Sequence, residues 1–255
     1  MIMRKSVLPW LVPIFILIVW QLFSSSHVLS ESLFPSPLSV LKALWELVAN
    51  GALALHLQIS LARALSGLLI GGLIGFILGI INGWSALSFR LLDTTIQMIR
   101  NIPHFALLPL VIVWLGIGEA PKVFLVALGV MFPVYINTLH GIRNVNREHI
   151  EMGKMYGLRG FQLFKQIYFP SALPSIFVGF RYALGVMWLT LIVSETIATS
   201  NGIGYLAMNA RQFMQTDVII VSILVYALLG KAADIIAHIG ERYALKWHPN
   251  YQKQG

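Results

Sequence analysis

Four side chains sit where a chain this apolar can least accommodate them. Arg181 and Glu195 fall inside one long hydrophobic stretch, and Arg100 and His104 lie at the start of a run interrupted by Pro103 and Pro109. A charge near the centre of a membrane-spanning helix costs roughly 2.5–3.5 kcal/mol on insertion scales. Each such group therefore needs a partner, water or an end of the membrane. Arg181 and Glu195 are 14 positions apart, about 21 Å along a helix at 1.5 Å per residue, so they cannot pair within one straight helix. Arg181 has two readings: a positive station for an anionic head group, or an arginine near the cytoplasmic end that snorkels or bonds a neighbouring segment. Glu195, in "SETIATSNGIG", reads either as gate structure or as a contact point at the external end. His104 reads more readily as a satisfied interfacial histidine than as a pathway group. Arg181, Glu195, Arg100 and His104 are the candidate pathway or gate residues.

Reactive chemistry is not written here. No G-x-x-x-x-G-K-[ST] phosphate loop occurs, and Gly230-Lys231 is followed by alanine. No G-x-S-x-G is present, which argues against an intramembrane hydrolase. The 7 histidines are scattered without an HxxxH or HxxEH cluster, and there are 0 cysteines, so no metal site, disulfide or thiol chemistry is expected. No catalytic residue is assigned, and no cofactor is expected on this chain.

The elements that position these residues follow from composition. Of 255 residues, 57% are hydrophobic and 11% charged, against about 25% charged in a soluble domain. Apolar runs near 20 residues are long enough to cross a bilayer. The fold class is all-α: a polytopic helical membrane protein embedded in the lipid bilayer. Six spans are expected, near 7–23, 61–81, 102–118, 123–139, 176–198 and 218–237. The third begins earlier, in the amphipathic piece 87–100. The first is expected to remain uncleaved, because Ser24, Ser25, Ser26 and His27 give no small-x-small site. "PSPLSVLKALWELV" reads as a proline-started surface helix. The organisation is then 1–60 (first span and external amphipathic segment), 61–240 (transmembrane core, with a cytoplasmic loop 141–170) and a tail 241–255, with no further domain.

The net charge of +8 reports topology, not nucleic-acid binding. Arg4, Lys5, Arg143, Arg147, Lys154, Arg159, Lys165, Arg242, Lys246 and Lys253 fall on one side of the predicted spans; only Lys42, Lys122 and Arg211 fall on the other. Both termini and the loop 141–170 are then cytoplasmic. Gly67, Gly71, Gly75 and Gly79, with Gly72 beside them, give the second span a nearly flat face for close helix packing, within the chain or between subunits.

The loop itself is unusual. "EMGKMYGLRGFQLFKQIYFP" (151–170) is charged and punctuated by glycine between two apolar regions. Asn146 suits a helix cap and Glu148 the first turn. Met152, Met155 and Tyr156 share a face, Gly157 suits a C-terminal cap, and Phe161, Phe164 and Tyr168 repeat at helical spacing. Two short amphipathic helices at a bend are expected. A lipid-facing interfacial helix would show a simple basic stripe instead.

The spacing Glu151, Gly157, Ile167, Pro170 resembles the EAA loop of ABC importer permeases: E-A-A, three residues, G, nine residues, I-x-L-P. Here Met152 and Gly153 replace the alanines and Phe169 the leucine. "RNIPHFALLPLVIVWLGIGEAPKVFLVALG" (100–129) is similar to the nitrate, sulfonate and taurine permease branch, and "MWLTLIVSETIATSNGIGYLAMNARQFMQTDV" (187–218) to aliphatic sulfonate permeases. The resemblance covers nearly the whole chain. It implies a type I (MetI-like) importer permease in a bacterial cytoplasmic (inner) membrane, working as a homodimer with two ATPase subunits that use ATP and Mg, and with an external substrate-binding protein. It implies that Glu151, Met152, Gly153, Met155, Tyr156, Gly157, Ile167 and Pro170 couple the permease to the ATPase. Aliphatic sulfonates are the implied substrate, with taurine, nitrate or another small anion as alternatives. An ion-coupled secondary transporter is the alternative of another class; it would show paired halves with broken helices and midplane charges, and no internal repeat is evident.

Overall fold

A computed structural model describes residues 3–25, 33–197 and 199–247. His27, Ala198, Lys253 and the tail beyond 247 lie outside the described residues, as do the side chains of Arg4 and Lys5. Among the described residues every regular element is helical. The helices are α1 (Met3–Ser25), α2 (Pro37–Ala49), α3 (Ala52–Trp84), α4 (Ala86–Arg100), α5 (Leu108–Leu115), α6 (Glu119–Arg143), α7 (Arg147–Met155), α8 (Gly160–Leu163), α9 (Phe169–Glu195), α10 (Ile203–Gln212) and α11 (Thr216–Ala244). A 3-10 turn, His104–Leu107, precedes α5, and a π turn, Phe164–Tyr168, joins α8 to α9.

Four helices are long and apolar enough to cross a membrane: Ala52–Trp84, Glu119–Arg143, Gly160–Glu195 and Thr216–Ala244. A fifth crossing is possible as a bent pair, Ala86–Arg100 with His104–Leu115, which meet at 82°. Leu11–Ser25 is a shorter apolar helix. The predicted third span is thus two helices. Pro103 removes a backbone donor and restricts Ile102 before it, and the amphipathic 87–100 piece forms the first arm. The second, fourth and sixth predicted spans extend past both predicted limits, and the fifth begins earlier, at Gly160, but ends at Glu195, short of 198, because an apolar run marks the hydrocarbon core and not where helical hydrogen bonding stops. The second amphipathic helix expected in 151–170 is the start of the 36-residue helix Gly160–Glu195. Pro170 does not break it: it falls in the first turn after the π turn, whose i→i+5 bonds have already shifted the ladder.

The residues form two compact units. One combines the described residues up to Ser60 with Glu195–Ala227; the other combines Leu61–Ser194 with those from Leu228 onward. In the first, Val40 and Ala43 of α2 pack on Val221 of α11, with Trp20, Leu44 and Val225 around them. α2 starts as its sequence suggests: Ser36 Oγ accepts from Ser39 N at 3.1 Å and Pro37 occupies the first turn.

In the second unit the glycine face of α3 is a seam against α6. Gly67, Gly71 and Gly75 abut Val126, Ala127 and Met131, and a Cβ on any of them would overlap those atoms. A Cβ on Gly79 would stand 2.6 Å from Thr138 Cβ, and one on Gly83 2.8 Å from Ile142 Cβ. Of the two uses expected for this face, packing within the chain is the one realised. Buried polar groups tie the same helices together. Asn82 Nδ2 donates to Tyr135 Oη at 2.8 Å, and Tyr135 Oη donates to Asp93 Oδ1 at 2.7 Å. Arg63, buried on α3, grips Glu119 at the start of α6 through Nε and through Nη2 at 2.7 Å. Lys122 Nζ donates to Gly118 O at 2.9 Å.

Candidate functional site: a presented helix and a mid-helix cavity

The charged loop folds as a short helix closed by a glycine turn. Asn146 Oδ1 accepts from Glu148 N at 3.0 Å and opens α7. At the other end Gly157 takes φ +83°. Its N–H donates to Lys154 O at 2.9 Å while Leu158 N donates to Gly153 O at 3.0 Å, the paired bonds of a Schellman cap that require a left-handed residue. A Cβ at Gly157 would meet nothing within 4 Å, so backbone conformation, not space, selects glycine there.

The motif residues divide by direction. Gly153 is the buried residue of α7, and a Cβ on it would lie 2.8 Å from Leu163 Cδ1 and 3.0 Å from Ile167 Cγ1. Gly153 and Ile167 therefore seat α7 on the helix that follows. Pro170 begins the regular helix beyond the π turn. Glu151, Met152, Met155 and Tyr156 face outward and, with Glu148, line a groove of about 480 Å³. Met155 is 88% exposed and Tyr156 82%. Two large apolar side chains left this bare on a cap-locked helix make a surface shaped for contact.

The four pathway candidates are not brought to one place. Arg100 and His104 line a cavity of about 370 Å³ together with Phe132, Asn137, Tyr182 and Val186. Arg100 ends α4 and is exposed. The His104 ring stacks on Phe132 at 6.1 Å and 18°, and its buried Nδ1 makes no well-aligned hydrogen bond, with the Ile102 backbone beside the ring. Asn137 Nδ2 donates to Pro133 O at 2.9 Å.

Arg181 belongs to a separate cluster. Its Nε donates to Asp234 Oδ1 at 3.1 Å and its Nη1 to Glu241 Oε2 at 3.4 Å, while Lys231 Nζ reaches Asp234 Oδ2 at 3.3 Å. The arginine ties α9 to α11, and its guanidinium is committed to two carboxylates.

Glu195 is fully buried at the end of α9. Ser60 Oγ donates to its carboxylate at 2.8 Å, Tyr226 Oη to Oε2 at 2.9 Å, and the Gly204 N–H of α10 to Oε2 at 3.0 Å. Ser60 Oγ also accepts from Ile203 N at 2.9 Å, and His56 Nδ1 accepts from Gly202 N at 3.1 Å. Burying a carboxylate is tolerable because donors surround it. Here they join α3, α10 and α11 around one anion, so Glu195 organises the turn into α10.

Ser60, Tyr226, Asp93, Tyr135 and Asn82 were not singled out by their sequence context. Tyr226 in the apolar run 218–237 and Asp93 in the piece 87–100 were the available signals, since a polar group at that depth needs a partner.

With this geometry in place, the relatives of the chain can be compared. Residues 71–243 match the model of the family described as binding-protein-dependent transport system inner membrane component. The chain is 59% identical over 245 residues to the putative aliphatic sulfonates transport permease protein SsuC of Escherichia coli (strain K12), covering 96% of this chain and 93% of that one. It is 40% identical to the SsuC protein of Bacillus subtilis (strain 168), covering 95% and 88%. It is 32% identical to the taurine transport system permease protein TauC of Escherichia coli (strain K12), covering 93% and 88%. Among solved structures, an amino acid ABC transporter with histidines aligns at TM-score 0.62 and 18% identity over 81% of this chain and 97% of that one. The inward-facing MetNI methionine ABC transporter aligns at 0.54 and 18% over 76% and 96%. At such identities these two speak for the helical fold alone. Taken with the spanning helices, the family match and the near full-length relatives place this chain in the binding-protein-dependent transport system inner membrane component family, as a multi-pass ABC transporter permease.

Proposed function

We propose that this chain is the translocation subunit of an ATP-driven importer of aliphatic sulfonates. It crosses the membrane six times, with α1 and the bent pair α4/α5 as crossings beside the four long helices, and both termini are cytoplasmic. Two copies pair, two ATPase subunits bind ATP and Mg on the cytoplasmic side, and an external binding protein delivers the sulfonate. The outward face of α7, with Glu151, Met152, Met155 and Tyr156 beside the Gly157 cap, docks the ATPase; Gly153, Ile167 and Pro170 hold α7 on its helix. The observation that carries the substrate is the 59% identity to a sulfonate permease across almost the whole of both chains. Taurine is the weaker assignment, since the taurine permease stands at 32%.

The test is reconstitution of the permease in proteoliposomes with its ATPase and binding protein. Uphill uptake of ethanesulfonate that requires ATP, with little taurine or nitrate uptake, is the expected result. Accumulation by the permease alone, driven by an ion gradient, would replace this reading with a secondary transporter.

A further inference from the structure

We infer that the cavity at the α4–α5 bend is an anion-binding station within this subunit, with Arg100 as its cation. This inference rests on the proposed import of a small anion, and it locates a contact for the head group in the permease itself.

Three observations converge on it. The first is depth. Phe132 is the fourteenth of the 25 residues of α6, so the cavity stands midway along that helix, while Tyr182 is the twenty-third of the 36 residues of Gly160–Glu195. The second is the break. Non-helical backbone at such depth is tolerated where it lines a cavity. The 82° bend at residues 101–103 opens onto this space, with Arg100 on one side of the break and His104 on the other.

The third is charge and hydrogen bonding. The lining contains one cationic side chain and no carboxylate. The Arg100 guanidinium makes no ion pair or hydrogen bond with any described residue, whereas Arg63 and Arg181 are both held by carboxylates. His104 lines the same cavity, and its buried Nδ1 makes no well-aligned hydrogen bond. A planar guanidinium with five donors matches the oxygens of a sulfonate or nitrate. His104 adds a ring nitrogen, and Phe132, Val186 and the Tyr182 ring give an apolar wall for a short alkyl chain. About 370 Å³ accommodates such an ion with water around it.

The chain has no cysteine, so a single cysteine replacing the lining residue Ile136 reports on occupancy. In the reconstituted complex, its modification by a neutral maleimide is followed with ethanesulfonate, with nitrate and with uncharged ethyl methyl sulfone. Ethanesulfonate is expected to slow modification at least fivefold and the sulfone not at all. Arg100→Gln should abolish that protection and reduce uptake at least tenfold, while the ATPase still co-purifies. Arg100→Lys should keep part of both. His104→Phe, which retains the stack on Phe132, should raise the protecting concentration severalfold. Unchanged protection and uptake in Arg100→Gln would overturn the station and leave sulfonate import standing. Uptake and Arg100-dependent protection by nitrate but not ethanesulfonate would overturn the substrate assignment and leave the station standing. No slowing by either anion in the complex with native Arg100 would overturn the station outright.

Discussion

Single residues here act through backbone conformation or through buried charge, and the two differ in how visible they are in sequence. Gly157 was legible: a glycine closing a short amphipathic stretch predicts a left-handed cap, and φ +83° with both Schellman bonds is what the chain adopts. Its surroundings are open, so Gly157→Val costs backbone strain of about 1–2 kcal/mol. That variant should leave the permease inserted but reduce ATPase co-purification, and uptake with it. Gly157→Asn, which tolerates the left-handed region better, should retain most of both. Equal ATPase recovery with all three side chains would sink the docking role of α7. Glu195 was visible as a charge but its partners were not. Ser60 and Tyr226 lie 135 and 31 positions away in the chain, and no local pattern encodes such a meeting. Glu195→Ala strands several buried donors, each costing about 1–3 kcal/mol when unsatisfied, whereas Tyr226→Phe removes one donor for about 1 kcal/mol. In detergent, thermal unfolding of Glu195→Ala should fall clearly below that of Tyr226→Phe, which should sit just below the native protein.

Helices and their seams were legible where composition speaks and obscure where tertiary contact decides. The apolar runs located the spanning helices because hydrocarbon burial sets their minimum length. They did not reveal that α3 begins at Ala52, since its first turns carry polar residues such as His56 and Ser60 that find partners outside any periodic pattern. The glycine repeat predicted a flat face but not its occupant, which is α6. Not all its members are equivalent. A Cβ on Gly75 would collide with the main-chain oxygen of Met131, which cannot rotate away, whereas one on Gly72 would stand 3.4 Å from the Phe180 ring edge. Gly75→Ala should therefore force α3 and α6 apart at a cost of about 1–3 kcal/mol or more. Gly72→Ala should be near neutral. Quantifying folded permease by fluorescence-detected size exclusion separates the two, and equal yields would contradict the seam.

For the whole chain, the asymmetry of Lys and Arg among the connecting segments sets an orientation that the helices alone cannot give. In the orientation proposed above, α7 is cytoplasmic and α2 external. Because the native chain has no cysteine, Gln162→Cys and Leu38→Cys report independently; Leu38 is 66% exposed on α2. In intact cells an impermeant maleimide should modify the second and spare the first, and the reverse pattern would invert the topology. The presented helix and the long helix behind it also share a geometric relation fixed by the π turn at Phe164–Tyr168, where Phe164 and Tyr168 clasp Trp84 edge-on at 5.0 Å each. A π turn carries one residue more than an α-turn, and each residue of an α-helix corresponds to about 100° of azimuth. The five residues Phe164–Tyr168 thus act as a phase-setter. Without the added residue, the outward face of α7 would point roughly a quarter-turn away from its present heading while every spanning helix kept its own contacts. The compass bearing of the outward face of α7 is therefore stored in the count of residues in one turn, apart from the chemistry of the face itself.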